Sequence, residues 1–567
     1  MRKFRVLILA IIFIFGAFVA YGLFSTPKAE ALDSDTFSAE RVIKDIRIIS
    51  QKHHSIAQPD NLAEVRGYLT DRLEEMGADI RLYEYKSLEA RGYQFDATNI
   101  IADFAPAKPL ADTTWLMMVA HYDSRPAQKF QQDTVWSYGA ADDGYGLGVI
   151  LETVSQALKS QDSWNQGIRV VFTDAEEVGM EGMKQLWGKD KEVFDNVGLV
   201  INVEGRGPWG PCLLFETAPG NEKLMDLYAD TCKYPYTYSL TTVVYQFMPN
   251  YTDFTIIKDE MPGFNFSTVA DINRYHTHLD NFGNIDAKTI QHYGAQILPI
   301  TMKYLCSAEY SDPEYFKSDK DTVNFSIPLL GLFNFTKTQY LIINIIIFVL
   351  FLLVMGFDVL RGNVKFGRIA KIAAFTLLIG VAVLGIGELI AYISASIAGV
   401  PFKLFGIVQG VMFDNTIMII ASALLAVICL ICYLCGRSKS KRLASVSMRS
   451  SSMDRALYTY SHSRLYGVLF LSLVMSLGLV IALNENLMFL IPLGFATLAL
   501  LLWHITGLKL FIPLALACIM LHAYSFLYAL AMALTIGAFG AVAMLAFFDL
   551  MVIIPLADLY LTERRKR

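Results

Sequence analysis

No excess of positive charge marks this chain of 567 residues: 48 Lys and Arg stand against 53 Asp and Glu, a net charge of −5. Nucleic-acid-binding proteins are usually basic, so no nucleic-acid partner is expected. Cysteine is scarce, with seven in the whole chain. Cys212, Cys232 and Cys306 lie in the charge-bearing part, which leaves room for one bridge at most and excludes a disulfide framework. No G-x-S-x-G occurs, so a serine nucleophile on a strand-to-helix elbow is not indicated. H-E-x-x-H is also missing, which sets aside metalloproteases that hold one zinc on a helix. No internal repeat points to a solenoid.

Apolar residues are plentiful, at 54% of the chain, and unevenly spread. Residues from about 35 to 320 carry charges throughout; residues from about 337 to 561 are dominated by long apolar runs. The expected layout is an N-terminal signal anchor (1–32), a globular domain (33–310), a linker (311–336) and a membrane domain of about seven helices (337–567). Arg2, Lys3 and Arg5 precede an apolar run from Val6 to Phe24. That run is longer than a usual signal core, which favours an anchor, although Ala29-Glu30-Ala31 has the small-x-small look of a cleavage site. Further spans are expected near 338–358, 370–393, 413–435, 465–484, 487–504, 510–529 and 533–558. With eight spans, the basic loops Arg361–Lys371 and Arg437–Arg455 and the tail Arg564–Arg567 share one side with the N-terminus. The positive-inside rule then places both termini in the cytoplasm and the globular domain outside it. The lipid bilayer is thus one expected partner; nothing in the sequence fixes an oligomeric state.

Several membrane features have two readings. Glu388 and Asp549 lie inside spans, where an ionisable group is costly and often functional; hydrogen bonding to a neighbouring helix is the plainer reading. His504 is expected at an interface. Cys429, Cys432 and Cys435 mimic a metal site, but small residues packed on a neighbouring helix explain them better. The Ser-, Lys- and Arg-rich stretch from Ser438 to Arg464 reads as a flexible loop near lipid headgroups. Glycosylation triplets begin at Asn250, Asn324 and Asn334, a pattern common by chance.

In the globular part, short apolar runs alternate with helical patterns. Strands are expected at Asn99–Phe104, Thr114–Ala120, Ile168–Thr173, Gly198–Val203, Cys212–Glu216 and Gly263–Ser267. Helices are expected at Ala39–Ser50, Asn61–Met76, Tyr145–Lys159, Met180–Trp187, Asn221–Thr231 and Ala287–Leu305. This alternation predicts an α/β fold with a doubly wound, mostly parallel sheet, followed by an all-α multi-span domain. Such sheets bind ligands at the carboxyl ends of their strands.

The candidate chemistry falls at those ends. His121 closes one expected strand, and Asp123 can hold its ring through the second nitrogen. Asp142, in Ala-Asp-Asp-Gly, can bridge two cations with one oxygen each. Glu176 and Glu177 follow another strand; from a loop one can ligate metal while the other faces a water as general base. Glu204 directly follows the apolar strand Gly198–Val203. His276 and His278 compete for a last ligand position, and strand geometry does not choose between them.

The series His-Tyr-Asp-Ser, Ala-Ala-Asp-Asp-Gly-Tyr-Gly, Asp-Ala-Glu-Glu-Val-Gly, Asn-Val-Glu-Gly and Tyr-His-Thr resembles the co-catalytic zinc aminopeptidases and glutamate carboxypeptidase relatives, over roughly residues 40 to 308. The layout, a peptidase-like domain before a multi-span domain, is similar to endoplasmic-reticulum metallopeptidases and vacuolar membrane proteases. The resemblance implies two Zn2+ ions. It puts His121, Asp142 and Glu204 on one, and Asp142, Glu177 and His276 on the other. It makes Glu176 the general base, has Asp123 orient His121, selects His276 over His278, and implies a cis Asp142–Asp143 peptide. Many soluble members carry Asp where this chain has Glu204. The expectation is a membrane-anchored exopeptidase, an aminopeptidase first, acting on peptides. A glutaminyl-cyclase-like acyltransferase and a catalytically inactive receptor- or transporter-like protein are the alternatives.

Overall fold

The computed structural model describes residues 2–20, 26–108, 113–130, 133–246, 251–268, 270–411, 413–445 and 450–562. They form two compact units, one of residues 24–337 and one of residues 1–23 with 338–567.

The strands of the first unit are β1 (Asp79–Ala90), β2 (Tyr93–Phe104), β3 (Trp115–His121), β4 (Gln128–Phe130), β5 (Asp133–Val135), β6 (Gly167–Thr173), β7 (Val197–Gly205), β8 (Leu213–Thr217), β9 (Gly263–Thr268), β10 (Thr322–Ile327) and β11 (Gly331–Thr336). Seven of them make one sheet in the order β1-β2-β6-β3-β7-β9-β8. The four central strands β6, β3, β7 and β9 run parallel, and β1, β2 and β8 add antiparallel edges. Every residue of β6, β7 and β9 is buried, as strands covered on both faces must be. The helices Ala39–Ile49, Gly144–Leu158 and Ala287–Cys306 pack on one another, the latter two also on β3. Each begins with a side-chain cap, from Ser38, Asp143 and Asp286 respectively.

The expected parallel core is present. The antiparallel edge β1 and the first half of β2 were not foreseen. Nearly every β1 residue is at least partly exposed and the strand is rich in charge, so no apolar run announced it. Its hairpin closes on Arg91-Gly92, both at positive φ (48° and 83°), the geometry that matches strand twist. The stretch 311–336, expected as a linker, instead carries the β10–β11 hairpin. Val323, Phe325 and Ile327 bury one face of it, the Ser326 amide donates to the Thr237 carbonyl at 2.9 Å, and the Thr322 amide donates to Asn221 Oδ1 at 2.8 Å. Asn324 is buried there, so its glycosylation triplet is closed; Asn250 lies outside the described residues.

Among the described residues, seven helices are long and apolar enough to cross a membrane: Lys337–Leu360, Phe366–Ala398, Asp414–Arg442, Ala456–Leu483, Leu487–Thr506, Phe511–Leu534 and Ile536–Leu561; apart from Lys337 they belong to the second unit. An eighth helix, Arg2–Ala20, covers most of the apolar run Val6–Phe24 of the expected anchor; residues 21–24 of that run lie outside the described ones. The backbone is helical over Asp414–Ser445 and Ser450–Leu483, so most of the stretch expected to be a loop continues the flanking helices; its Lys, Arg and Leu residues are good helix formers. Buried polar groups tie this unit together. Glu388 Oε1 accepts the Gly540 amide at 3.1 Å, the plainer of its two readings. Asp358 accepts from Tyr466 at 2.7 Å and lies 3.3 Å from His504 Nε2, so that histidine has a protein partner. Asp549 and His522 line a small cavity with Phe489 and Phe548. Cys429 is packed inside as expected, but Cys432 and Cys435 are exposed on the helix surface.

Candidate metal centre

Parallel register brings the motif residues to one edge. His121, the last residue of β3, pairs with Thr173, the last of β6. Glu204 sits within β7, opposite Ser267 of β9, rather than just after the strand. The acidic residues Asp174, Glu176 and Glu177 follow β6 in a loop that Ala175 turns with φ of 58°. Asp123 pins that loop: its carboxylate accepts the amides of Glu176 at 2.9 Å and Glu177 at 3.2 Å. Arg125 then holds Glu177, donating from Nη1 to its carbonyl at 2.6 Å and to Oε2 at 3.0 Å.

The Asp142 turn is built as tightly. Asp280 accepts the Ala141 amide at 2.7 Å, the Asp142 amide at 3.4 Å and the Ser137 hydroxyl at 3.0 Å. The Asp142–Asp143 peptide is cis, and Asp143 Oδ1 caps the following helix by accepting the Gly146 amide at 2.9 Å. Gly205 lets this turn press on the end of β7: a Cβ there would lie 1.8 Å from the Ala141 carbonyl oxygen. His276 projects from a left-handed backbone, φ 60°, a conformation that non-glycine residues hold only where their surroundings enforce it.

Two groups of three donors result. Ligand atoms of His121, Asp143 and Glu204 lie within 4.8 Å of one another, as do those of Asp142, Glu177 and His276. Asp142 faces both groups: Oδ1 is 3.2 Å from His121 Nε2 and Oδ2 is 3.2 Å from His276 Nε2. His276 Nε2 is also 3.1 Å from Glu177 Oε2, and His121 Nε2 is 3.7 Å from Glu204 Oε2. The second nitrogen of His121 is closer to the main-chain carbonyl of Asp123 (2.9 Å) than to its carboxylate (3.6 Å). His278 is exposed and lies edge-on to Phe130 at 5.8 Å, away from both groups. Glu176 belongs to neither group, and its carboxylate makes no hydrogen bond or ion pair among the described residues.

This density of acid needs positive charge. Burial pushes the carboxyls of Asp143, Glu176 and Glu204 well above the usual range, and neighbouring carboxylates push further. Burial would raise Asp142 as well, yet the imidazoles of His121 and His276 beside it hold it well below. Burial disfavours a charged His121, but the carboxylates of Asp123 and Asp142 outweigh it and raise the imidazole well above its ordinary value. Even so, Asp142 Oδ2, Asp143 Oδ2 and Glu177 Oε1 are buried without a hydrogen bond; His276 is close to the first but not in bonding geometry. Orphaned buried carboxylate oxygens beside imidazoles are a donor set that suits divalent cations.

Sequence reasoning missed four contributors. Asp143 joins the His121 group, where only Asp142 was expected. Arg125 and Asp280 brace ligands, and Asp253, buried at the same edge, accepts from the Thr173 hydroxyl. Arg125 and Asp280 each lie within a few residues of an expected ligand, and that proximity was their only signal. Asp253 had none, because its segment is distant in sequence.

Residues 99–301 match the model of Peptidase family M28. Endoplasmic reticulum metallopeptidase 1 of Rattus norvegicus is 28% identical over 238 residues, covering 40% of this chain and 26% of the relative. The vacuolar membrane protease of Scheffersomyces stipitis is 28% identical over 252 residues, covering 41% of this chain and 25% of the relative. The matched region thus spans about a quarter of each relative's length. The crystal structure of Porphyromonas gingivalis glutaminyl cyclase superposes with a TM-score of 0.39 at 20% identity, covering 48% of this chain and all of that one.

Proposed function

We infer that this chain, which carries a peptidase family M28 domain, is a membrane-anchored zinc exopeptidase that removes N-terminal residues from peptides. One observation carries the reading: two donor triads lie side by side, Asp142 turning one oxygen toward the histidine of each, near a glutamate whose carboxylate has no partner among the described residues. His121, Asp142 or Asp143, and Glu204 would hold one ion; Asp142, Glu177 and His276 would hold a second. Bound there, zinc would supply Lewis acidity toward the scissile carbonyl and acidify the attacking water.

The remaining steps belong to the chain. Glu176 is the catalytic residue: burial, with neighbouring carboxylates, raises the proton affinity of its carboxylate, the direction a general base needs. It takes a proton from the attacking water and returns it to the departing amine. Asp123 positions Glu176 and Glu177 through their amides, and Arg125 fixes the rotamer of Glu177. The basic flanks of the spans support an extracytoplasmic peptidase domain with both termini in the cytoplasm. The test is metal analysis of the purified chain with hydrolysis of N-terminally free and N-acetylated peptides, with and without chelator. Chelator-sensitive cleavage of the free peptides alone is expected. Cleavage that survives metal removal would refute the reading.

A further inference from the structure

Arg206 lies two residues beyond Glu204, at the end of β7, and its charge has no ion-pair partner among the described residues. Its Nε and Nη2 are buried and make no hydrogen bond. Its main chain is fixed, the amide donating to Ser267 Oγ at 3.2 Å. Its guanidinium stands 6.0 Å from the ring centre of Tyr275, the residue before His276. The Tyr245 hydroxyl is likewise buried without a hydrogen bond, and Tyr245 lies within electrostatic reach of Glu204, Glu176 and Arg206. Two of the acids nearby are occupied: Glu204 takes the Asn202 side-chain amide at 3.1 Å, and Glu216 is paired with Lys258 at 2.5 Å and accepts from Asn265; the third, Glu176, is the general base assigned above.

A buried guanidinium stays charged, and leaving it unpaired is costly. Its planar fork matches a carboxylate, and the buried Tyr245 hydroxyl within its electrostatic reach offers a further donor. We propose that Arg206 and Tyr245 form a subsite for a carboxylate of the substrate, carried by the residue after the scissile bond. That carboxylate is either the free C-terminus of a short peptide or an acidic side chain. The subsite rests on the peptidase reading and sets which peptides the centre prefers.

The experiment uses the full chain in detergent, loaded with zinc, and three peptides: Leu-Ala, Leu-Ala-amide and Leu-Glu-amide. At least one carboxylate-bearing peptide is expected to exceed Leu-Ala-amide in kcat/KM by about 10- to 100-fold, the scale of a charge-assisted pair. Which one does so identifies the carboxylate. Arg206→Met is expected to bring that ratio near one, and Arg206→Lys to keep part of it; a role in packing alone would not move the ratio. Binding of the same peptides to the Glu176→Gln chain, by calorimetry, gives a readout without turnover. Hydrolysis with no preference, a preference that survives Arg206→Met, or no discrimination in binding overturns the subsite. Preferential binding without hydrolysis by the intact chain would keep the subsite and refute the peptidase reading.

Discussion

At the scale of single residues, the centre separates groups that touch the chemistry from groups that hold them. Glu176 has no partner for its carboxylate among the described residues, whereas Glu177 is held at its carbonyl and its carboxylate by Arg125. Glu176→Gln is therefore expected to keep its zinc content and lose roughly 10²- to 10⁴-fold in kcat, measured with metal analysis on the same sample. Arg125→Met removes the brace from Glu177, and a lost outer partner of a ligand usually weakens metal affinity about 10- to 100-fold. A competition titration with a zinc chelator reads that directly. The two histidines of Tyr-His-Thr-His give a sharper contrast: His276 faces Asp142 and Glu177, and His278 is exposed beside Phe130. His276→Ala should lose an ion and nearly all turnover, and His278→Ala should leave both within about twofold. An equal effect of the two substitutions would refute this placement.

At the scale of elements, the centre depends on strand ends meeting a turn. The Gly205 contact leaves no room for a side chain, so Gly205→Ala must part β7 from the Asp142 turn. The expected result is a loss of metal affinity of more than tenfold with an unchanged circular dichroism spectrum. Another joint carries a pH signature. His292 in Ala287–Cys306 accepts the Cys212 amide on Nδ1 at 3.0 Å and donates from Nε2 to the Tyr234 carbonyl at 2.8 Å, so it is held neutral. Burial pushes its pKa down to about 4 from 6.5. Above pH 6.5 the group is neutral in both folded and unfolded chains; between 6.5 and 4 only the unfolded chain takes up the proton. Stability is therefore lost as pH falls through that window, by up to about 3 kcal/mol from this one group. Thermal midpoints from pH 7 to 4.5 should fall less steeply in His292→Gln, which keeps a donor and an acceptor. The central strands were legible because burial on both faces makes them continuous apolar runs. The outer hairpin of β1 and β2 was hidden by its charge, and β10–β11 was hidden although Val323, Phe325 and Ile327 alternate as a strand should. His121, Glu177 and Glu204 could be read as candidates because each sits in a short motif at or just past a strand end, and His276 because of its Tyr-His-Thr motif. Asp253 could not, because only the fold brings its segment to the site; Arg206 adjoins Glu204 in sequence, but a lone arginine carries no motif.

At the scale of the whole molecule, the chain divides into a unit with its own sheet and a unit of apolar helices. The first has a contiguous core from Phe37 to Phe316. A fragment spanning 26–337 is therefore expected to be soluble, to bind zinc and to cleave short peptides within about tenfold of the full chain. The full chain should stay with membranes through alkaline carbonate washing, as spans of this length require. A fragment that aggregates without metal loss would assign the helices a part in folding the peptidase unit. The account as a whole turns on whether a pair of cations occupies the edge where His121, Asp142 and His276 meet. The decisive measurement is zinc per chain by elemental analysis during stepwise chelation, with turnover followed in parallel. Two ions per chain at full activity, falling to one and then none as hydrolysis disappears, is the expected course; full activity with no bound metal, or a chain that never holds more than one ion, would contradict it.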